Sequence, residues 1–256
     1  SRGLGDVYKR QKIIHIDIDP AEIGKNIGAD LPLVGDAKLV LQQMTELAKP
    51  MKHDEWIAHI KTLGGERKYV EPATGTVNPR VFIDRLAKKM PANVTVVADV
   101  GQNQIWTCTE YKFRKEGRLL TSGGMGTMGY SVPAAIGAKM ADNSRATVAI
   151  CGDGAFQMSF MELATAVQFG VDIKVVVMTN NRLGMVRELQ TNGYHDRQTA
   201  VFLDGSPDFI KLAEAYSIPA MRVYDDDTME KGIEMLAEHK GICLVEVVVD
   251  KDMPTL

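Results

Sequence analysis

The sequence predicts an α/β fold, a doubly wound parallel sheet with helices on both faces. Three observations predict it. Nearly continuous apolar runs such as Thr147–Cys151 and Ile173–Thr179 alternate with segments of helical period, the pattern of strands buried on both faces. Four successive strand ends carry Gly, Asp or Asn, and such sheets bind ligands at the carboxyl ends of their strands. No repeat period and no low-complexity tract breaks the alternation.

The elements follow in order. Asp6 to Gln11 (DVYKRQ) resembles a translated transposase adaptor from library construction, so residues 1–11 are expected to lie outside the fold. Ile13 to Ile18 reads as a buried strand ending at the Asp19-Pro20 turn. Pro20 to Asn26 suggests a short helix, and Asp36 caps a second one running to Ala48, with Leu39, Val40, Met44 and Leu47 on one face. One strand and one helix are too little for a domain, so the strand's neighbours are expected upstream, and both ends of the chain read as cuts in something longer. Residues 49–75, with Pro50, the Gly64-Gly65 pair and Pro72 amid charge, read as a helical linker and an extended crossing. From residue 76 the pattern is regular. Asn78 and Pro79 open a helix over 80–90. Strands are expected at 95–99, 118–122, 147–151, 173–179, 220–224 and 244–249. Helices are expected at about 103–110, 131–141, 157–169, 184–190, 207–217 and 227–239.

Composition narrows the function classes. Hydrophobic residues make up 45% and charged residues 25%, with a net charge of -3 from 30 basic and 33 acidic residues. A strongly basic nucleic-acid surface is excluded. No apolar run approaches the roughly 20 residues of a membrane span, and no leader pattern supports secretion. Cys108, Cys151 and Cys243 are far apart, without CxxC spacing. No disulfide framework or zinc site is expected, and a reducing cytoplasm fits best. The five histidines show no ligand spacing, and Asp225 to Asp227 reads as a solvated turn and helix cap.

The chemistry concentrates after four strands: Asp99 to Gln104, Gly123 to Gly129, Gly152 to Ala155, and Asn180 to Gly184. Glycine lets a backbone approach its ligand, helix N-termini hold phosphate, and Asp and Asn offer hard oxygen to Mg²⁺. Each loop alone is also an ordinary turn; four together point to one site. A rival reading takes Gly124, Gly126 and Gly129 as a dinucleotide G-x-G-x-x-G, with Asp153, 24 residues after Gly129, as its ribose acid. That would make an NAD-dependent oxidoreductase, but it leaves Asn180-Asn181 without a task.

Gly152-Asp153-Gly154 followed by Asn180-Asn181 resembles the thiamine-diphosphate motif, with 27 residues from Asp153 to Asn180. Gly101 to Gln104, Thr121 to Gly129 and Leu183 to Arg187 resemble the large subunit of the acetohydroxyacid synthase (acetolactate synthase) family. The resemblance runs from Lys12 onward. It makes 12–48 the last strand and helix of a truncated middle domain and 76–256 the diphosphate-binding domain, without the pyrimidine-binding domain.

The resemblance implies Mg²⁺ ligation by the side chains of Asp153 and Asn180 and by the carbonyl of Arg182. It implies a cofactor site formed by Gly101, Gln102, Asn103, Gly126, Met128, Gly152, Gly154, Ala155, Gly184 and Met185, with Met128 wedged beneath the bent cofactor. It implies decarboxylation of pyruvate and transfer of the two-carbon unit to a second 2-keto acid, giving 2-acetolactate or 2-aceto-2-hydroxybutyrate for branched-chain amino-acid synthesis. Further expectations are FAD in a full-length protein, a second copy of the subunit and a small regulatory subunit. The glutamate that activates the pyrimidine would lie outside this stretch, so the chain alone is expected to be inactive. One departure stands out. The family's usual Gln-Trp is Glu188-Leu189 here, so Leu189 occupies the acceptor-contacting position. Pyruvate oxidase and 2-keto-acid decarboxylases remain alternatives.

Overall fold

The computed structural model describes residues 12–63 and 69–255. The adaptor-like segment and the Gly64-Gly65 pair lie outside the described residues. The chain divides into two compact units, Ser1–Arg67 and Lys68–Leu256.

In the first unit, β1 (Ile14–Asp17) pairs in parallel with β2 (Leu31–Val34), Ile14 opposite Leu31. The strand thus has one partner downstream, a four-residue element that the sequence reading missed. The short helix expected over 20–26 is a series of turns instead. The Asp19 carboxylate accepts from Ala21 N (2.8 Å), and Gly24 takes a left-handed φ of 74°, which no helix continues. Helix α1 (Ala37–Leu47) starts where expected, its Asp36 cap accepting from Leu39 N at 3.1 Å. Its apolar residues Leu39, Met44 and Leu47 are exposed. Helix α2 (Asp54–Leu63) follows.

The second unit begins with α3 (Pro79–Lys89), whose cap Asn78 accepts from Arg80 N and Val81 N. Six strands then form one parallel sheet: β3 (Thr95–Ala98), β4 (Arg118–Thr121), β5 (Thr147–Gly152), β6 (Lys174–Thr179), β7 (Ala220–Val223) and β8 (Cys243–Val248). Their order is β4-β3-β5-β6-β8-β7. Successive side chains of a strand face opposite ways. Val96, Val148, Ile150 and Val176 thus enter one core with Phe82, Leu86, Trp106 and Ile233. Val97, Ala149, Cys151 and Val177 enter the other with Ile136, Phe156, Leu163 and Phe209. Helices α3, α4 (Gln102–Glu110) and α10 (Asp226–Glu238) supply the first face. Helices α5 (Ser131–Ala141), α6 (Asp153–Gln157), α7 (Leu163–Gln168) and α9 (Phe209–Ala215) supply the second. This is the doubly wound sheet that the alternation predicts.

The single helix expected over 157–169 is broken. Helix α6 starts at Asp153, directly after β5. Ser159 leaves helical geometry at φ -142°, and a 3₁₀ turn at Phe160–Glu162 leads into α7. Asp225 caps α10 through a capping box with Thr228, as the acidic run suggested. The chain runs from β3 outward to β4, then returns to the other side of β3 as β5. The carboxyl ends of β3 and β5 therefore flank a topological switch point, where open α/β sheets bind ligands.

Candidate diphosphate and metal site

The loop after β3 reaches the switch point first. Gly101 sits at φ 146°, and a Cβ there would lie 2.6 Å from Asn103 Oδ1, so the turn into α4 demands glycine. Asn103 Nδ2 donates to Asp99 O (2.9 Å) and Ile150 O (3.2 Å), joining the ends of β3 and β5. Asp99 is fully buried, and its carboxylate accepts from Val100 N, Gly129 N and Ser131 N at 2.8–3.0 Å. It thereby pins the glycine-rich loop and the start of α5 to β3. The sequence puts Asp99 at the head of the first site loop but does not show that it ties that loop to Gly129 and Ser131.

Asp153, at the β5 end, is 1% exposed. Its Oδ1 accepts from Gly154 N (2.8 Å), and its Oδ2 accepts from Asn180 N (3.1 Å) and Asn181 N (2.6 Å). Burial pushes its carboxyl up to about 6, against the pull of those three N–H groups. None of Gly124, Gly126 and Gly129 lines the cavity that Asp153 lines, so the dinucleotide reading fails on geometry. The Asn180-Asn181 pair has the task that reading lacked.

Asn180 Oδ1 accepts from Arg182 N (3.0 Å), and its Nδ2 donates to Gln102 Oε1 (3.3 Å). The turn around Arg182 is clamped from outside. Residues 201–203 lie antiparallel to it, with Leu183 N bonded to Val201 O and Leu203 N to Asn181 O. The Arg182 guanidinium sits 4.7 Å over the Phe202 ring and 2.8 Å from Asp204. This clamp was also missed, because an antiparallel bridge this short has no periodicity to read.

These loops surround a cavity of about 210 Å³. Among the expected residues, Gly101, Gln102, Asn103, Met128, Gly152, Asp153, Gly154, Ala155, Asn180, Arg182, Gly184 and Met185 line it. Val100, Trp106, Met178, Leu183, Val186 and Val249 complete the wall. Gly126 and Leu189 are not in the lining, and Leu189, on α8 (Gly184–Gly193), is 61% exposed. Two glycines keep the cavity open. A Cβ on Gly154 would meet Leu183 Cδ2 at 2.8 Å and Met128 Cε at 3.4 Å, and one on Gly184 would fall 1.8 Å from Gln102 Oε1.

The donor set fits a hard cation bound together with a diphosphate. Among the described residues no group of three His, Cys, Asp or Glu could hold a metal. One carboxylate, one amide oxygen and one main-chain carbonyl form an oxygen set of the kind Mg²⁺ takes when phosphate oxygens complete its shell. A cation beside Asp153 would also offset the cost of its burial. The first turns of α4 and α8 open at the cavity, and their N–H groups have no helical acceptor.

Comparison with known proteins agrees with this reading of the fold. The family model described as thiamine pyrophosphate enzyme, C-terminal TPP binding domain, matches residues 99–247. The model for the central domain of the same enzymes matches residues 3–44, a span that includes the adaptor-like residues 6–11. The chain is 36% identical over 247 residues to the acetolactate synthase large subunit of Lactococcus lactis, covering 96% of this chain and 43% of that protein. It is 38% identical over 250 residues to the probable acetolactate synthase large subunit of Methanocaldococcus jannaschii, covering 93% and 42%. It is 35% identical over 250 residues to the acetolactate synthase isozyme 3 large subunit of Escherichia coli, covering 93% and 43%. The chain thus spans about two fifths of the length of these relatives. Among the described residues no helix is long and apolar enough to cross a membrane.

Proposed function

Because the chain belongs to the thiamine pyrophosphate enzymes, we propose that it forms the diphosphate- and metal-binding part of an acetolactate synthase. The reaction is condensation of pyruvate with a second 2-keto acid, giving 2-acetolactate or 2-aceto-2-hydroxybutyrate. The observation that carries the reading is the buried Asp153 carboxylate, held by Asn180 and Asn181 at the floor of the cavity. The relatives' names support the choice of reaction.

Asp153 and Asn180 hold Mg²⁺ through side-chain oxygens and Arg182 through its carbonyl. Backbone groups of Gly101, Gln102, Asn103, Gly154, Ala155 and Gly184 seat the diphosphate. Met128 and Met185 give the apolar wall on which the remainder of the cofactor rests, and Trp106 and Val249 help exclude water. When bound, thiamine diphosphate supplies an electron sink for decarboxylation of the 2-keto acid. This chain's part is to fix that group in place. Pairing with a second copy, a small regulatory subunit and FAD belong to the same proposal.

The test exchanges residues 12–255 for the matching stretch of the Lactococcus lactis enzyme and assays pyruvate with Mg²⁺ and thiamine diphosphate. Acetolactate, lost on Asp153→Ala, is the expected product. A chimera that binds the cofactor but yields acetaldehyde or acetate contradicts the reading in favour of a decarboxylase or oxidase.

A further inference from the structure

Gln102 is 4% exposed, and both ends of its amide are engaged. Its Oε1 accepts from Asn180 Nδ2 at 3.3 Å. Its Nε2 faces three acceptors: Met253 O (3.0 Å), Thr255 Oγ1 (3.0 Å) and Glu188 Oε2 (3.4 Å). Glu188 anchors that acceptor set. Its carboxylate accepts from Thr255 N at 3.1 Å and from the Thr255 hydroxyl, which hold residues 253–255 against α8.

The order of these bonds has a direction. The two ends of a primary amide have nearly the same shape, so hydrogen-bond partners alone decide which end points where. A carboxylate and a main-chain carbonyl only accept, so they draw the NH₂ of Gln102 toward themselves. The carbonyl of Gln102 must then face Asn180. It draws the NH₂ of Asn180 and leaves the Asn180 oxygen for the other side, where Arg182 N now bonds it. A reversed Asn180 would present NH₂ to a cation.

We infer that Glu188 is a positioning residue for the metal site. Through Thr255, Met253 and the Gln102 amide, it joins the fixed donor Arg182 N in setting which end of Asn180 faces the cation. The inference rests on the metal role proposed above for Asn180; it adds Glu188, which does not line the cavity, and gives the side chain of Gln102 a task beside that of its backbone. It also gives the glycine at 184 a reason, since the Gln102 carbonyl occupies the space that a Cβ would need.

The experiment measures Mn²⁺ binding to the full chain with thiamine diphosphate present, from the paramagnetic resonance signal of free Mn²⁺. Glu188→Met and Glu188→Gln both delete the charge, but only Glu188→Gln keeps a carbonyl acceptor. Glu188→Met is expected to weaken Mn²⁺ binding about tenfold, and Glu188→Gln to stay within about threefold of the parent, in the range known for outer-shell partners. Gln102→Met should weaken binding like Glu188→Met, and combining the two should cost nothing further. If circular dichroism shows Glu188→Met unfolded, the decision passes to Gln102→Met, which overturns the relay by binding Mn²⁺ like the parent. Equal affinities for Glu188→Met and Glu188→Gln also overturn it, and leave the metal site standing. A parent chain that binds no Mn²⁺ overturns the metal reading, and the relay with it.

Discussion

Asp153 Oδ2 accepts hydrogen bonds from the backbone N–H groups of both Asn180 and Asn181, at 3.1 and 2.6 Å. One side chain thus joins the end of β5 to the end of β6. A strand-end loop residue looks cheap to replace, yet Asp153→Ala orphans buried donors. It should destabilise the fold by about 1–3 kcal/mol. Asp153→Asn keeps one acceptor oxygen and should recover part of that loss without recovering Mg²⁺ affinity. Urea denaturation beside metal titration checks both.

Gly184→Ala places a methyl 1.8 Å from Gln102 Oε1. Gln102 must leave Asn180 or α8 must shift. Overpacking of this kind costs about 1–3 kcal/mol. The variant should melt earlier and bind thiamine diphosphate more weakly, whereas alanine at Gly123, where a Cβ meets nothing within 4 Å, should do neither.

Arg80 and Glu110 form a buried pair at 2.7 Å, with side chains 12% and 4% exposed. Burial pushes the Glu110 carboxyl up, but the Arg80 guanidinium and the Tyr69 hydroxyl outweigh it and leave it below the usual glutamate range. The folded value is depressed, so the pair's stabilisation is present above the unfolded value and is lost as pH falls through the folded one. Arg80→Met removes the carboxylate's ionic partner but leaves it the Tyr69 hydroxyl at 3.2 Å, and should cost up to about 3 kcal/mol near neutral pH. Its deficit should shrink in acid, as denaturant melts at pH 7 and pH 3 would show.

Leu189 is 61% exposed and outside the cavity lining, so a larger side chain fits there without strain. Leu189→Trp should leave stability within about 0.5 kcal/mol. If this position contacts the acceptor in the assembled enzyme, preference for 2-ketobutyrate over pyruvate should rise by about tenfold or more. A competition assay in the chimera reads the product ratio, and an unchanged ratio removes Leu189 from the site.

The sheet was legible because a strand buried on both faces has no polar side to blur it: Val148 to Cys151 and Val175 to Val177 feed two cores in alternation. The site loops were legible because Gly101, Asp153 and Asn180 each follow such a strand. What escaped was set by contacts distant in sequence. β2 is four residues long and is held by its register with β1. The break at Ser159 lies inside a segment of helical composition. Asp99 earns its place through Gly129 and Ser131, some 30 residues away. The clamp at 201–204 exists only because the Arg182 turn is there to receive it.

The most direct test of the central claim is a calorimetric titration of thiamine diphosphate into the chain, with and without Mg²⁺, beside Asp153→Asn. The expected result is binding that requires Mg²⁺ and that raises stability by about 2.7 kcal/mol at one hundred times Kd, with both effects lost in Asp153→Asn. Binding that ignores Mg²⁺, or that survives unchanged in Asp153→Asn, would contradict the assignment of this cavity to a metal-bridged diphosphate.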